Sequence, residues 1–107
     1  MEITTTIKNR FAIVKPLEEV GLYNSMDFKK HLANIIETTS YNIVIDFSNI
    51  SYADSSLIAA LLFAMRKMSA LGREFSLMNV DDDILNILRL ANIEKYFKMY
   101  YGEQELP

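Results

Sequence analysis

The segment YNIVIDFSNISYADSSLIAALLFAM, residues 41–65, decides the fold. The run from Ile43 to Ile45 is short, continuous and apolar, which is typical of a strand buried on both faces of a sheet. Nine apolar residues follow from Leu57 to Met65, and Gly72 stands where a helix would end. The segment therefore predicts a buried strand, a loop and an apolar helix over about residues 55–71.

Strands and helices alternate on both sides of this segment. The β-branched residues of 2–7 and 11–16 predict two short strands joined by a hairpin turn at Asn9-Arg10. A helix beginning at Asn24 or Ser25 would place four apolar residues on one face: Phe28, Leu32, Ile35 and Ile36.

The C-terminal part continues the same alternation. Residues 74–80 predict a strand and residues 93–101 an apolar segment that closes the fold. Between them, residues 81–92 predict a helix with one apolar stripe: Ile84, Ile87, Leu88 and Ala91. We therefore expect an α/β fold that forms one domain over residues 1–107. It would begin with a hairpin and contain a mostly parallel sheet of four to five strands with helices packed on it. The tail at 102–107 would be loose.

Composition excludes several classes of function. The net charge of −3 gives no support to nucleic-acid binding, and the absence of cysteine excludes disulfides and thiolate chemistry. The single His31 excludes any site that needs two histidines, and Asp81 to Asp83 favour a helix start over a metal site. The longest apolar run is too short for a membrane span, so we expect no membrane insertion and a cytoplasmic location. We also expect a monomer or weak dimer that holds no cofactor and no metal.

Asp54, Ser55 and Ser56 precede the apolar helix and have two interpretations. Ser55 can cap the helix, and the charge of Asp54 suits its positive end. The same turn, however, lies at the carboxyl edge of the predicted sheet, where open α/β folds place their binding sites. A phosphate on Ser55 would be tolerated there by the first helical turn.

The helix itself is apolar around more than one face. One stripe would face the core, namely Leu57, Ile58, Leu61, Leu62, Met65 and Met68. Phe63, with Ala59, Ala60 and Arg66, would form a docking patch exposed to a partner, although Phe63 could equally belong to the core.

Residues 43–62, IVIDFSNISYADSSLIAALL, resemble the signature of STAS domains, especially bacterial anti-sigma factor antagonists. The later segments LGREFSLMNV and ILNILRLANIEKYF are also similar to the family, so the close match covers about residues 43–100. The resemblance implies a switch protein without catalysis of its own. Its partners would be an anti-sigma factor that is also a serine kinase and a PP2C-type phosphatase.

The resemblance also implies roles for individual residues. Ser55 would be the phosphorylation site, with Ser56 as second choice, and Asp54 would shape the surrounding loop. Unmodified protein would bind the kinase and free the sigma factor. The expected partner-binding residues are Asp54, Ser56, Leu57, Ala59, Ala60, Phe63 and Arg66.

This chain departs from the family pattern at two places. Leu57 stands where the family usually has glycine, so it could narrow access to Ser55 or extend the docking surface. Gly21 stands near an expected aspartate, and Glu18 or Glu19 could replace it in recognition. These departures leave open a STAS scaffold that binds its partner without phosphorylation. A small α/β enzyme lacks support, because no nucleophile–base pair or glycine-rich phosphate loop is evident.

Overall fold

The computed structural model describes all of residues 1–107, which form five strands, three α-helices and two short 3-10 turns. The strands are β1 (Ile3–Lys8), β2 (Phe11–Pro16), β3 (Asn42–Asp46), β4 (Phe75–Met78) and β5 (Lys98–Tyr100). The helices are α1 (Ser25–Thr38), α2 (Ser55–Ala70) and α3 (Asp82–Leu90), and the 3-10 turns are Glu94–Tyr96 and Glu103–Glu105. None of the helices has the length and apolar character needed to cross a membrane.

The five strands form one sheet in chain order, β1-β2-β3-β4-β5. β1 and β2 pair antiparallel as a hairpin, and each later strand adds parallel to its predecessor. Asn9 in the hairpin turn has a φ of 56°, a left-handed conformation that asparagine adopts more readily than most residues. The predicted mostly parallel sheet with an initial hairpin is confirmed.

All three helices pack on one face of the sheet, around a core of 23 buried residues. α1 buries the four residues that its periodicity predicts: Phe28, Leu32, Ile35 and Ile36. α3 buries Ile84 and Leu88 of its predicted stripe, whereas Ile87 is half-buried and Ala91 is exposed beyond the end of the helix.

The predicted core stripe of α2 is confirmed for Leu57, Leu61 and Met68, which are fully buried, and in part for its other three residues. Ile58, Leu62 and Met65 are half-buried and pack against the core. The residues that face the sheet are Leu57, Ala60, Leu61, Ala64 and Met68. Because every residue from Leu57 to Met65 is apolar, the sequence has no contrast between faces that would fix the rotation of the helix.

The opposite face of the sheet carries no helix and is covered by the C-terminal tail. Its buried cluster consists of Phe11, Ile13, Val44, Met78, Tyr100 and Leu106. The tail leaves β5 at one edge of the sheet and reaches the β1–β2 turn, where Asn9 Nδ2 donates to Pro107 O at 3.2 Å and Lys8 Nζ to Glu103 O at 3.1 Å. The expectation of a loose tail at 102–107 is therefore wrong, because Leu106 is only 6% exposed and anchors it.

Candidate partner-binding site

The start of α2 lies at the carboxyl edge of the sheet, and Asp54 is its N-cap. Asp54 Oδ1 accepts hydrogen bonds from the Leu57 amide at 3.0 Å and from the Ser56 hydroxyl at 2.7 Å. These bonds, that of the Leu57 amide first, hold the pKa of Asp54 below its usual value. The cap that the sequence assigned to Ser55 is thus supplied by Asp54, a fixed negative charge at the helix start.

The two adjacent serines have different surroundings. Ser56 is half-buried and its hydroxyl hydrogen is committed to Asp54. Ser55, the first residue of α2, is exposed, and its Oγ makes no hydrogen bond within the chain. Of the two hydroxyls, only that of Ser55 is both accessible and free to react.

Leu57 and Ala60 do not belong to an exposed docking surface, which corrects two sequence-based expectations. Leu57 is 1% exposed and Ala60 is 2% exposed, and both belong to the helix-side core. The step of about 100° between successive helical residues turns Leu57 away from Ser55 and toward the sheet. Leu57 therefore neither narrows access to Ser55 nor offers apolar surface to a partner.

The rest of the predicted docking patch does reach the surface. Ala59 and Arg66 are exposed, and Phe63 is half-buried against the core. Lys29 of α1 places its Nζ 4.4 Å from the centre of the Phe63 ring, and Lys67 places its Nζ 5.7 Å from the same centre. The outer face of α2 therefore presents the Phe63 ring with lysine side chains placed for cation–π contacts.

Glu19 holds the loop between β3 and α2, a contact that sequence reasoning missed. Its carboxylate accepts from the Ser51 amide at 3.0 and 3.1 Å, from the Ser51 hydroxyl at 2.7 Å and from the Tyr52 amide at 3.2 Å. The residues involved lie more than 30 positions apart, so no local pattern could reveal the contact. Glu18, in contrast, accepts from the Glu2 amide and from Asn24 Nδ2, each at 3.0 Å.

Gly21 packs directly against the cap of α2. A Cβ added to Gly21 would lie 3.2 Å from Asp54 Oδ2, closer than most carbon–oxygen contacts. An aspartate at this position would bring a second carboxylate next to Asp54. Gly21 therefore leaves Asp54 as the only carboxylate in contact with the start of α2.

Four large apolar side chains are exposed in the two segments that meet at this helix start, the segment leading from β2 into the start of α1 and the loop before α2, and were not predicted as site residues. They are Leu22 (79% exposed), Tyr23 (103%), Met26 (60%) and Tyr52 (59%). The Leu22 amide contributes to the lowered pKa of Asp54, and the Tyr52 amide is bound by Glu19, so both residues lie at this edge of the sheet. Several large exposed apolar side chains in adjacent segments are typical of a protein-binding surface.

The end of β3 is tied to the end of β4 by Asp46, which is 7% exposed. Its Oδ1 accepts from the Ser48 amide at 2.9 Å, from the Ser48 hydroxyl at 2.5 Å and from Asn79 Nδ2 at 3.0 Å. Asp81, at the next edge position, accepts from the Ile84 amide at 2.9 Å and is the N-cap of α3. Both carboxylates thus have structural partners.

These features define a class: a small α/β domain with a hairpin-initiated sheet, helices on one face, and an exposed seryl hydroxyl at a helix start, with the exposed Leu22 and Tyr52 at the same edge of the sheet. The STAS domain family model matches residues 2–106. The chain therefore belongs to the STAS domain family, as the resemblance of residues 43–100 implied.

Known proteins similar to this chain carry related names. Over 89 residues it is 24% identical to a Thermotoga neapolitana protein named as a candidate anti-sigma factor antagonist, covering 82% of this chain and 79% of that protein. The crystal structure of a Thermotoga maritima protein with the same description gives a TM-score of 0.89 at 23% identity, covering 96% of this chain and 89% of that one.

The fold is also similar to that of SpoIIAA, an anti-sigma factor antagonist solved in two states. The unphosphorylated form gives a TM-score of 0.82 at 16% identity, covering 97% of this chain and 91% of that one. The phosphorylated form, described as a Bacillus cell fate determinant, gives 0.75 at 16% identity, covering 97% and 95%. At these identities the solved structures establish the shared fold.

Proposed function

We propose that this protein is an anti-sigma factor antagonist that binds an anti-sigma factor with serine kinase activity and is released when Ser55 is phosphorylated. The observation that carries the proposal is the contrast between the two serines. Ser55 Oγ is exposed and unbonded, whereas the Ser56 hydroxyl is held by Asp54 at 2.7 Å. The names of the similar Thermotoga proteins support the same assignment.

A phosphate on Ser55 changes the surface without unfolding the domain. It adds about −1.5 to −2 charges at neutral pH. Asp54 already accepts from the Leu57 amide in the first turn of α2, but Ser55 is exposed, so a phosphate on its Oγ can extend into solvent without displacing this cap. A partner resting on the exposed apolar groups Leu22, Tyr23, Met26 and Tyr52 would then meet a hydrated dianion, so its affinity falls.

In this cycle the protein is a substrate and a ligand and performs no catalysis. The kinase transfers the γ-phosphoryl group of ATP to Ser55 Oγ, which gives up its proton to the kinase or to water, and ADP leaves. A PP2C-type phosphatase hydrolyses the phosphoserine and restores the binding form.

The proposal is tested with the anti-sigma factor kinase encoded nearest to the gene of this protein. After incubation with ATP, mass spectrometry of peptides should place phosphate on Ser55 in the natural protein and in Ser56→Ala, and nowhere in Ser55→Ala. Ser55→Glu should lose most of its binding to the kinase. Absence of phosphate at Ser55, with Ser55→Glu binding as well as the natural protein, would refute the switch.

The second candidate function is a scaffold that binds one partner regardless of phosphorylation. Gly21 favours it, since an acidic residue expected in the switching proteins is absent from the cap of α2. In the same assay a scaffold would bind its partner equally in the natural, Ser55→Ala and Ser55→Glu forms.

A further inference from the structure

A groove between α1 and α2 combines an apolar floor with a cationic rim. Its apolar lining includes Phe63 and Ala70 of α2 together with Ala33 and Ile36 of α1. It continues toward the start of α2 past Ala59. The Phe63 ring, half-buried and central, is the largest apolar group in this groove.

The rim carries three cations, Lys29, Arg66 and Lys67, and one carboxylate, that of Glu37. None of the three cations is in an ion pair, since the two ion pairs in the chain join the Met1 amino group to Asp27 and Arg89 to Glu94. Two of the cations lie over the Phe63 ring. In a chain with a net charge of −3, three cations against one carboxylate give the groove a local charge of opposite sign to that of the whole molecule.

The groove is continuous with the phosphorylation site. Ser55, Ala59, Phe63 and Arg66 follow one another at spacings of four, four and three residues, which places them on one face of α2. Ala59, the near end of the groove, lies about 6 Å along the helix axis from Ser55 at 1.5 Å per residue. That distance is shorter than the Debye length of about 8 Å at physiological ionic strength.

We propose that this groove binds an acidic amphipathic segment of the protein partner, its apolar side on Phe63 and Ala59 and its carboxylates on Lys29, Arg66 and Lys67. The inference rests on the proposed function and specifies the chemistry of the partner. An apolar segment alone would leave three desolvated cations without counter-charges, and a purely acidic one would leave the Phe63 ring unused.

Phosphorylation of Ser55 would act on the apolar near end of the groove. At 1.5 Å per residue, Arg66 and Lys67 lie about 16 Å and about 18 Å along the helix axis from Ser55, roughly two Debye lengths. A hydrated dianion on Ser55 therefore displaces the apolar part of the segment next to Ala59 and leaves the attraction between the groove cations and the carboxylates largely unchanged.

The test compares two double charge reversals. Lys29→Glu with Lys67→Glu alters the groove, and Lys95→Glu with Lys98→Glu is the matched control. The control pair carries the same charge change and also lies near aromatic rings, those of Tyr96 and Tyr100. Circular dichroism will show whether the Lys29→Glu, Lys67→Glu variant folds. If it does not fold, the milder double variant Lys29→Gln with Lys67→Gln replaces it in the test.

Affinity for the neighbouring anti-sigma factor kinase is measured by calorimetry, without ATP, at low and high salt. The groove reversal should weaken binding about tenfold or more and flatten its salt dependence, whereas the control should stay within about twofold. If the natural protein does not bind the kinase, the proposed function fails. If the natural protein binds and the groove variants bind equally well, only the groove assignment is overturned.

A carbodiimide cross-linker, which joins lysine amines to carboxylates in direct contact, provides an independent readout. In the complex, Lys29 and Lys67 should cross-link to aspartate or glutamate of the kinase, and Lys95 and Lys98 should not. Cross-links from Lys29 or Lys67 to a second copy of this chain, with a dimer in sedimentation that the groove reversal abolishes, would assign the groove to self-association and overturn the proposal.

Discussion

Asp54 performs two tasks at the level of single residues. It closes the first turn of α2 through the Leu57 amide and removes the Ser56 hydroxyl from competition, so that Ser55 alone presents a free Oγ. An N-cap aspartate contributes typically about 1 kcal/mol to stability.

We predict that Asp54→Ala lowers the free energy of unfolding by about 1 kcal/mol at pH 7. The folded-state pKa of Asp54 is depressed, so its contribution is present above the unfolded pKa and disappears as pH falls through the folded pKa. Urea unfolding of both proteins between pH 7 and pH 2.5 measures this, and the difference should shrink in the acid range. Glu37→Ala, an exposed change on α1, is the control; a difference independent of pH would contradict the assignment.

Glu19 matters at the level of elements, because it connects the segment after β2 to the loop that leads from β3 into α2. Three donors of Ser51 and Tyr52 converge on this one carboxylate, and Tyr52 is one of the exposed apolar groups near Ser55. The loop has no other side-chain anchor at Ser51 or Tyr52. Its conformation therefore depends on Glu19.

We predict that Glu19→Ala frees this loop without unfolding the domain. Hydrogen exchange at the Ser51 and Tyr52 amides should accelerate about tenfold or more, since both lose their acceptor. Core amides such as that of Val44 should change little. Glu18→Ala is the matched control, because Glu18 bonds to Glu2 and Asn24 instead. Unchanged exchange at Ser51 in Glu19→Ala would refute the role of Glu19.

The helices differ in how well their buried faces could be predicted from the sequence. α1 has a clear alternation of polar and apolar residues, so its buried face was predicted residue by residue. α2 lacks such contrast, and only the packed structure shows that Ala60 faces the sheet and Ala59 faces solvent. Asp54 and Ser55 were found because a helix start is a local pattern, although the cap was assigned to Ser55 instead of Asp54. Contacts of Glu19, Gly21 and Lys29 with the site join distant segments and left no signal in the sequence.

At the scale of the whole molecule, the sheet is covered by two unequal layers. Three helices cover one face, and a short tail ending in Leu106 covers the other. Val44 and Met78 are fully buried on the tail side, although no helix lies there. The continuous apolar run from Ile43 to Ile45 predicted that this strand is buried on both faces, but the sequence did not reveal that the tail provides the second layer.

We predict that Leu106→Ala lowers the free energy of unfolding by about 2 kcal/mol, the lower end of the range for buried leucine, because the tail can partly collapse onto the sheet. Loss of this anchor should also expose Phe11, Ile13 and Val44 to water, which binding of a fluorescent apolar dye will report. Gln104→Ala, an exposed change in the same tail, should alter stability by less than about 0.5 kcal/mol. If Leu106→Ala and the natural protein have the same free energy of unfolding in urea, the conclusion that the tail is part of the fold is contradicted. Binding to the proposed kinase partner should survive in Leu106→Ala, because the tail covers one face of the sheet whereas Ser55 lies at its carboxyl edge.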